Sequence, residues 1–572
     1  MAKKAKKKAA KARKSTRAAK KKSARKTSAK AKRAAKKRTA RKTTSTVTAP
    51  VATGPVTRLL PPANSVTVRM YRIGHGDCFL LAFATSDPNK PIYVLIDCGY
   101  KPGSPAHIDT KGMPKPTAKD IGQHIVATTG GRVHVAVITH EHQDHVNGIT
   151  ATNFAGLTID QTWFAWTEDP EDDVANDLRR KFKDKLLGLI GARNSLAAAG
   201  DVKQAERLDD FISFEFGGDD DAAFGPAQMT AMLGAAGGGS ANKKSMNLFK
   251  ELSNDIRYLR PHEEILTLPG AANTRVFVLG PPKDPDLLKT LDPEGDEEFH
   301  GLALASASAG NYFAAAARGD AKGGGKPPFA NRYVIANKKA LRDRPHGTFF
   351  RSFYGSDDIA PGYAPLVSCA RGEDEAVDNP PWRRIDTEWL YSSEQLALDM
   401  NGQTNNSSLV LAFELGKGGK VLLFAADAQR GNWLSWADAD WKDGRDTVTT
   451  KDLLSRTVLY KAGHHCSHNA TLNGQLSDTY ANLSWMAQGD HGREFTAMIT
   501  AVRKWAETQK GWDHPFKAIK DALLKKASGR VFQTDTDFDA MTKADNSSQI
   551  EWSDFQSRAS GERLFFDYTI RV

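Results

Sequence analysis

Apolar residues fall along this chain in two rhythms. From Ser65 the segments SVTVRMYRIGHGDCFLLAF and PIYVLIDCGY are short, β-branched and broken by glycine, which predicts strands joined by turns. Residues 116–129 take up helical spacing. VHVAVIT, Val133 to Thr139, follows the glycines at 130 and 131 and reads as a further strand. Residues 170–258 are rich in Ala, Leu, Lys and Asp at helical spacing, interrupted by glycine-rich loops. TRVFVLGPP (274–282) returns to the strand pattern, and residues 283–400, with GDAKGGGKPPF, read largely as loop. SSLVLAFELGKGGKVLLFAAD supplies two strands around a glycine turn, RTVLYKAGHH one more, and PFKAIKDALLKKA an amphipathic helix. No internal repeat is visible. No apolar run approaches the roughly 20 residues that span a bilayer.

The first 45 residues follow neither rhythm. They hold 22 Lys and Arg and no acid; the first acidic residue is Asp77. The formal net charge of +13, from 80 basic and 67 acidic residues, therefore conceals two parts. Beyond residue 45 there remain 58 basic against 67 acidic residues, a net of −9. A segment with one sign of charge and no apolar face is expected to be disordered when free. Its composition resembles the tails of linker histones and bacterial histone-like proteins. The expected partner is nucleic acid, gripped through phosphates and counterion release by clusters such as Lys6, Lys7, Lys8, Lys20, Lys21, Lys22, Lys36, Lys37 and Arg38. The alternative is a solubilising or transit leader. Residues 46–64 read as a Pro/Thr linker, and residues 65–572 as the main domain. Four scattered cysteines without a CxxC pair speak against a disulfide framework or a zinc ribbon. With no apolar secretory core, a cytoplasmic protein is expected, nucleoid-associated in one reading.

The chemistry gathers at strand ends. ITHEHQDH, residues 138–145, follows an apolar run, and burying such groups is costly unless something pairs with them. His140 and His142 alternate and project to one side; Asp144 and His145 follow in the turn and reach a second point nearby. That spacing suits two metals side by side. Downstream, KVLLFAAD ends in Asp427 and RTVLYKAGHH ends in His464 and His465. Alone, Asp427 has the alternative reading of a turn former and the histidine pair that of an exposed loop. Together they are what a binuclear hydrolase needs, ligands on rigid strand ends with loops left for substrate.

THEHQDH fits the HxHxDH signature and resembles the metallo-β-lactamase superfamily. Within it the chain is most similar to the hydrolase domain of ComEC-type competence proteins and their stand-alone relatives. IGHGDCFLL with LIDCG resembles that group's opening strands. NNSSLVLAFELGKGGKVLLFAAD resembles its Asn-Asn-x-Ser strand and Thr-Gly-Asp end, and YKAGHHCSH its Lys-x-Gly-His-His-Gly-Ser turn. DHPFKAIKDALLKKASGRVFQTDTD resembles its closing pattern. The matches span about residues 66–165 and 400–540, leaving insertions at about 166–262 and 283–400 uncovered.

The resemblance implies an α/β fold, the αββα four-layer sandwich, with long insertions and a disordered tail. It implies that His140 and His142 bind one metal, Asp144 and His145 the other, that Asp427 bridges them, and that His464 completes the second site, His465 being the competing choice. Asp97 would orient the ligand loop from behind. Cys466 stands where the group has glycine. No counterpart of the superfamily's intermediate histidine is evident: His262, His300 and His346 lie in that interval and none ends a strand, so Asn405 or Asn406 is expected to compensate. Two divalent ions, zinc or manganese, about 3.5–4 Å apart would lower the pKa of a shared water and hold hydroxide beside an electrophile. Asp144, Lys461 and Ser467 would carry the chemistry, the last two by holding an anionic oxygen; Lys461 reads equally well as an ordinary strand-end lysine. The expected function is hydrolysis of phosphodiesters, a DNA nuclease tethered by its tail. The rivals are a hydrolase of small esters, lactones or thioesters and a non-enzymatic nucleoid-associated protein.

Overall fold

In the computed structural model the described residues are 57–198, 202–216, 240–299, 392–509, 512–545 and 547–572. The basic tail with its named lysines and arginine lies outside them, as do most of the linker, His300, His346, Cys369 and residues 300–391 of the second insertion. The compact unit runs from Thr57 to Val572. Leu59 belongs to it: its amide donates to Thr128 O and its carbonyl accepts from Tyr93 Oη.

Two large sheets form a mixed α/β structure. The first holds eight strands: β1 (Ser65–Tyr71), β2 (Phe79–Phe83), β3 (Ile92–Ile96), β4 (Arg132–Ile138), β5 (Thr158–Ala165), β6 (Ser253–Leu259), β16 (Ala559–Gly561) and β17 (Phe565–Arg571). Their order is β16-β17-β1-β2-β3-β4-β5-β6. The second holds seven: β7 (Leu266–Thr267), β8 (Thr274–Gly280), β9 (Val410–Leu415), β10 (Lys420–Phe424), β13 (Thr457–Lys461), β14 (Thr496–Ile499) and β15 (Val531–Gln533), in the order β15-β14-β13-β10-β9-β8-β7. A separate hairpin joins β11 (Asp440–Asp443) to β12 (Asp446–Thr449).

The sheets repeat one plan. Strands β1, β2 and β3 are antiparallel, and β3, β4, β5 and β6 are parallel. Strands β8, β9 and β10 are likewise antiparallel, and β10, β13, β14 and β15 parallel.

Alternation along each strand decides what it packs against. Val66, Val68, Met70, Phe79, Leu81, Val94 and Val135 of the first sheet share one apolar cluster with Val276, Leu411, Phe413, Leu422 and Phe424 of the second. The intervening residues Leu80, Ala82, Leu95, Ala136 and Ile138 pack with Ile121 and Ile125 of the helix Ala118–Thr129 and with Met246 and Phe249 of the helix Ala241–Leu252. Across the second sheet, Phe277, Val410, Ala412, Val421 and Leu423 pack with Trp433, Leu453, Leu454, Ile519 and Leu523. Helix Ala118–Thr129 starts two residues inside the expected stretch, because Thr117 and Asp120 form a reciprocal capping box, and Gly130 at φ 68° ends it.

The stretch 170–258 is not wholly helical. It contains helices Asp173–Ala198, Val202–Phe216 and Ala241–Leu252, but SNDIRYL is β6, a half-exposed edge strand. Helices Asp173–Ala198 and Val202–Phe216 bury Leu189, Ile190, Leu196, Leu208 and Ile212 against Leu396 and Met400 of the helix Ser392–Asn406. Among the described residues no helix is long and apolar enough to cross a membrane.

Candidate metal centre

The ligand-rich loops leave the carboxyl ends of β3, β4, β10, β13 and β14, together with the turn between β1 and β2. Among the described residues Asp77, His145, Asp427 and His465 each offer an atom, and these atoms lie within 4.8 Å of one another. All four are buried. His145 Nε2 lies 3.1 Å and His465 Nε2 3.3 Å from Asp427 Oδ2. Asp77 faces the ring of His465, with Oδ1 3.7 Å from Nδ1.

His140, His142 and Asp144 adjoin this group. His140 Nε2 is 4.0 Å from Asp427 Oδ2 and 3.1 Å from His142 Nδ1. Asp144 Oδ2 is 3.0 Å from His465 Nε2 and 3.4 Å from Lys101 Nζ. His145 and His465 bridge carboxylates that draw the two runs of ligands together from opposite sheets.

Each imidazole is gripped on its outer nitrogen. Asp97 Oδ2 lies 2.8 Å from His145 Nδ1 and also accepts from Thr139 Oγ1, so Asp97 stands behind the ligand loop. Thr500 Oγ1 lies 3.0 Å from His465 Nδ1 and donates to Asp77 Oδ1 at 2.6 Å. Ser408 Oγ and Thr139 Oγ1 face His140 Nδ1 at 3.2 and 3.1 Å. Glu215 Oε1 is 3.2 Å from His142 Nε2. Holding the outer nitrogen fixes ring orientation and leaves the inner one for an ion.

Electrostatics agree with this arrangement. Burial opposes charge on Asp144 and Asp427, yet Lys101 beside the first, and His465 and His145 beside the second, hold both carboxyls well below the usual range. Burial also opposes charge on the two imidazoles, but Asp427 with its neighbouring carboxylates raises His145 well above its ordinary value and His465 to about 9. Burial pushes His140, His75 and His514 well below the ordinary imidazole value and brings His464 down to about 4.

A divalent ion fits the residues present. Asp144 Oδ1, Asp427 Oδ1 and His145 Nε2 are buried without a hydrogen-bond partner; His145 Nε2 is close to Asp427 Oδ2 but not aligned for one. Buried carboxylate oxygens without a hydrogen bond are expensive, and carboxylate oxygen with imidazole nitrogen is a donor set that holds metal ions.

Of the two adjacent histidines between which the sequence leaves the choice open, His465 turns into the cluster. His464 faces Asn405 Nδ2 (3.1 Å), Gln429 Nε2 (3.2 Å) and Ser467 Oγ (2.7 Å). Ser467 is thereby occupied, since its hydroxyl also donates to Asn469 Oδ1. Lys461 is fully buried. It lies beneath the carboxylates, donating to Ala426 O (2.7 Å) with Asp77 Oδ2 at 2.6 Å and Asp427 Oδ1 at 3.5 Å, because β13 is buried along its whole length. Asn405 reaches His464 rather than the cluster. Asn406 ties the chain together, its Oδ1 accepting from Gln429 N and its Nδ2 donating to Thr290 O. His262 packs edge-on against Trp441 and joins no site.

Asp77 was missed by the sequence reading. Its only signal was the glycines beside His75 in IGHGD. A Cβ on Gly76, at φ +156°, would come within 2.3 Å of Gly99 O and 2.5 Å of Asp144 O. That close approach lets the β1–β2 turn lie on the ligand loop. Lys101, Thr500 and Glu215 were missed as well, none having a local pattern.

The chain matches no model of a known protein family and no curated protein sequence.

Proposed function

We propose that this protein is a metal-dependent hydrolase of phosphodiesters, with the αββα sandwich of the metallo-β-lactamase superfamily and a basic tail that tethers nucleic acid. The observation that carries this reading is the convergence of the inner nitrogens of His145 and His465 on Asp427 Oδ2, with Asp144 Oδ1 and Asp427 Oδ1 buried beside them without a hydrogen bond. Asp77, His145, Asp427 and His465 would hold one divalent ion. His140 Nε2 and His142 Nδ1, side by side, would hold a second. Bound there, divalent ions activate water and neutralise charge developing on the substrate.

The remaining work falls to the chain. Asp97 and Thr500 orient His145 and His465. Asp144 offers its free Oδ1 to a proton leaving water. Lys101, whose ammonium lies 3.4 Å from Asp144, brings positive charge to the same side. The tail, with its 22 cations, would add affinity for any polyanion without reading sequence.

A second reading, hydrolysis of a small ester or lactone, is favoured by how enclosed the centre is, with His140, His142, Asp144, Asp427 and His465 at most 2% exposed. The two part on substrate. Full-length protein should contain zinc or manganese and cleave bis(p-nitrophenyl) phosphate and plasmid DNA. A chelator or Asp427→Asn should abolish both activities. Turnover that survives both treatments would sink the metal-hydrolase reading. Cleavage of esters or lactones alone, in a metal-dependent manner, would select the second.

A further inference from the structure

The four imidazoles of the centre differ in where their outer contact comes from. Asp97, Thr500, Ser408 and Thr139 all lie at the ends of sheet strands or in the loops beside them. Glu215 does not. It sits in the last turn of the helix Val202–Phe216, within the insertion at about 166–262. Its Oε1 is 3.2 Å from His142 Nε2, and its Oε2 is buried without a hydrogen-bond partner. A carboxylate only accepts, so His142 Nε2 must donate, and Nδ1 is left as the lone pair facing His140 Nε2 at 3.1 Å.

The helix end is held in place for this contact. Asn242 Nδ2, from the helix Ala241–Leu252, donates to both Phe214 O and Glu215 O. The Phe214 ring lies against His142, centroids 4.6 Å apart, and carries the Lys101 ammonium 2.7 Å from its centroid. Lys243, one residue beyond Asn242, reaches Glu141 inside the histidine loop.

We propose that Glu215 is a positioning residue of the metal centre: it fixes the ring and tautomer of His142, so that the inserted helix determines how tightly the ion at His140 and His142 is held. The proposal rests on the metal-site reading above. A pair of ligands gains much from being rigidly presented.

Cobalt(II) is the probe, titrated into full-length metal-free protein and followed by its visible absorption bands. Wild type, Glu215→Ala, Glu215→Gln, His142→Ala and the double variant His142→Ala/Glu215→Ala are compared, with thermal melts to establish folding. Removing a partner behind a ligating histidine costs about 10–100-fold in metal affinity. Glu215→Ala should therefore weaken one class of cobalt site by that factor and change its spectrum. Glu215→Gln, whose amide oxygen still accepts from Nε2, should recover most of the loss. In the His142→Ala background the Glu215 change should add nothing. A wild-type isotherm and spectrum in Glu215→Ala would overturn the proposal while leaving the metal centre intact. So would a Gln variant as weak as Ala, which would make Glu215 itself a ligand. Wild-type protein that takes up no cobalt would overturn the metal reading on which the proposal stands.

Discussion

Asp77 illustrates how much of this centre depends on single backbone contacts. Its amide donates to Asp144 O and its carbonyl accepts from Gly99 N, so the turn that carries it is stitched to both ligand loops. Its carboxylate also faces the buried Lys461 ammonium at 2.6 Å. Asp77→Asn keeps the shape but removes the charge. It should lower bound metal and hydrolysis sharply, and it should destabilise the metal-free protein by about 3 kcal/mol, the scale for removing one partner of a buried ion pair. Metal analysis and a thermal melt together check this; full metal content in the variant would exclude Asp77 as a ligand. His140, His142, Asp144 and His145 were legible because their spacing is local. Asp77 was not, because one aspartate in a glycine turn has no spacing, and only the folded chain brings it to His145 and His465.

Strand ends shape the site at the next scale. Asp97 after β3, Ala426 before Asp427, and His464, His465 and Cys466 after β13 all have positive φ, from 35° to 64°. Left-handed backbone costs a non-glycine residue roughly 1–2 kcal/mol, and such strain gathers where side chains must be aimed. After β13, three such residues in a row are held by Cys466 N donating to Gly463 O, Ser467 N to His464 O and Phe516 N to Cys466 O. This turn sends His465 inward and His464 toward Asn405, a choice no reading of two adjacent histidines could make. His465→Ala should thus lose bound metal, whereas His464→Ala should keep its metal content and lose activity only in part. Equal metal loss in both would contradict the assignment. The longer apolar strands, β1 to β4 and β8 to β10, were legible from alternation and β-branching. Strands of three or four residues such as β14 and β15 offer too few positions for a period to show, and edge strand β6 lies among helical spacing.

Over the whole molecule, charge couples the centre to pH. His465, raised to about 9 by Asp427 and Asp144 against the penalty of burial, stabilises the metal-free fold fully below its free value near 6.5. That contribution is lost as pH rises through about 9. Asp144 and Asp427 are depressed instead, so theirs is present above about 4 and lost only as pH falls through their lowered values. With chelator present, Tm should therefore decline between pH 6.5 and 9, and loading with zinc, which takes the place of the ring protons, should flatten that decline. Parallel Tm curves with and without zinc would contradict the linkage. The register of the first sheet carries a different consequence, for the order in which the chain is made. Strand β1 pairs with β17 from Ser65 opposite Arg571 to Tyr71 opposite Phe565. Until β17 has been made and has paired with it, β1 is an open edge, and open edges recruit other strands. The edge at β1 is therefore closed only after every other described strand of both sheets has been made, so the first sheet waits on the second for its completion.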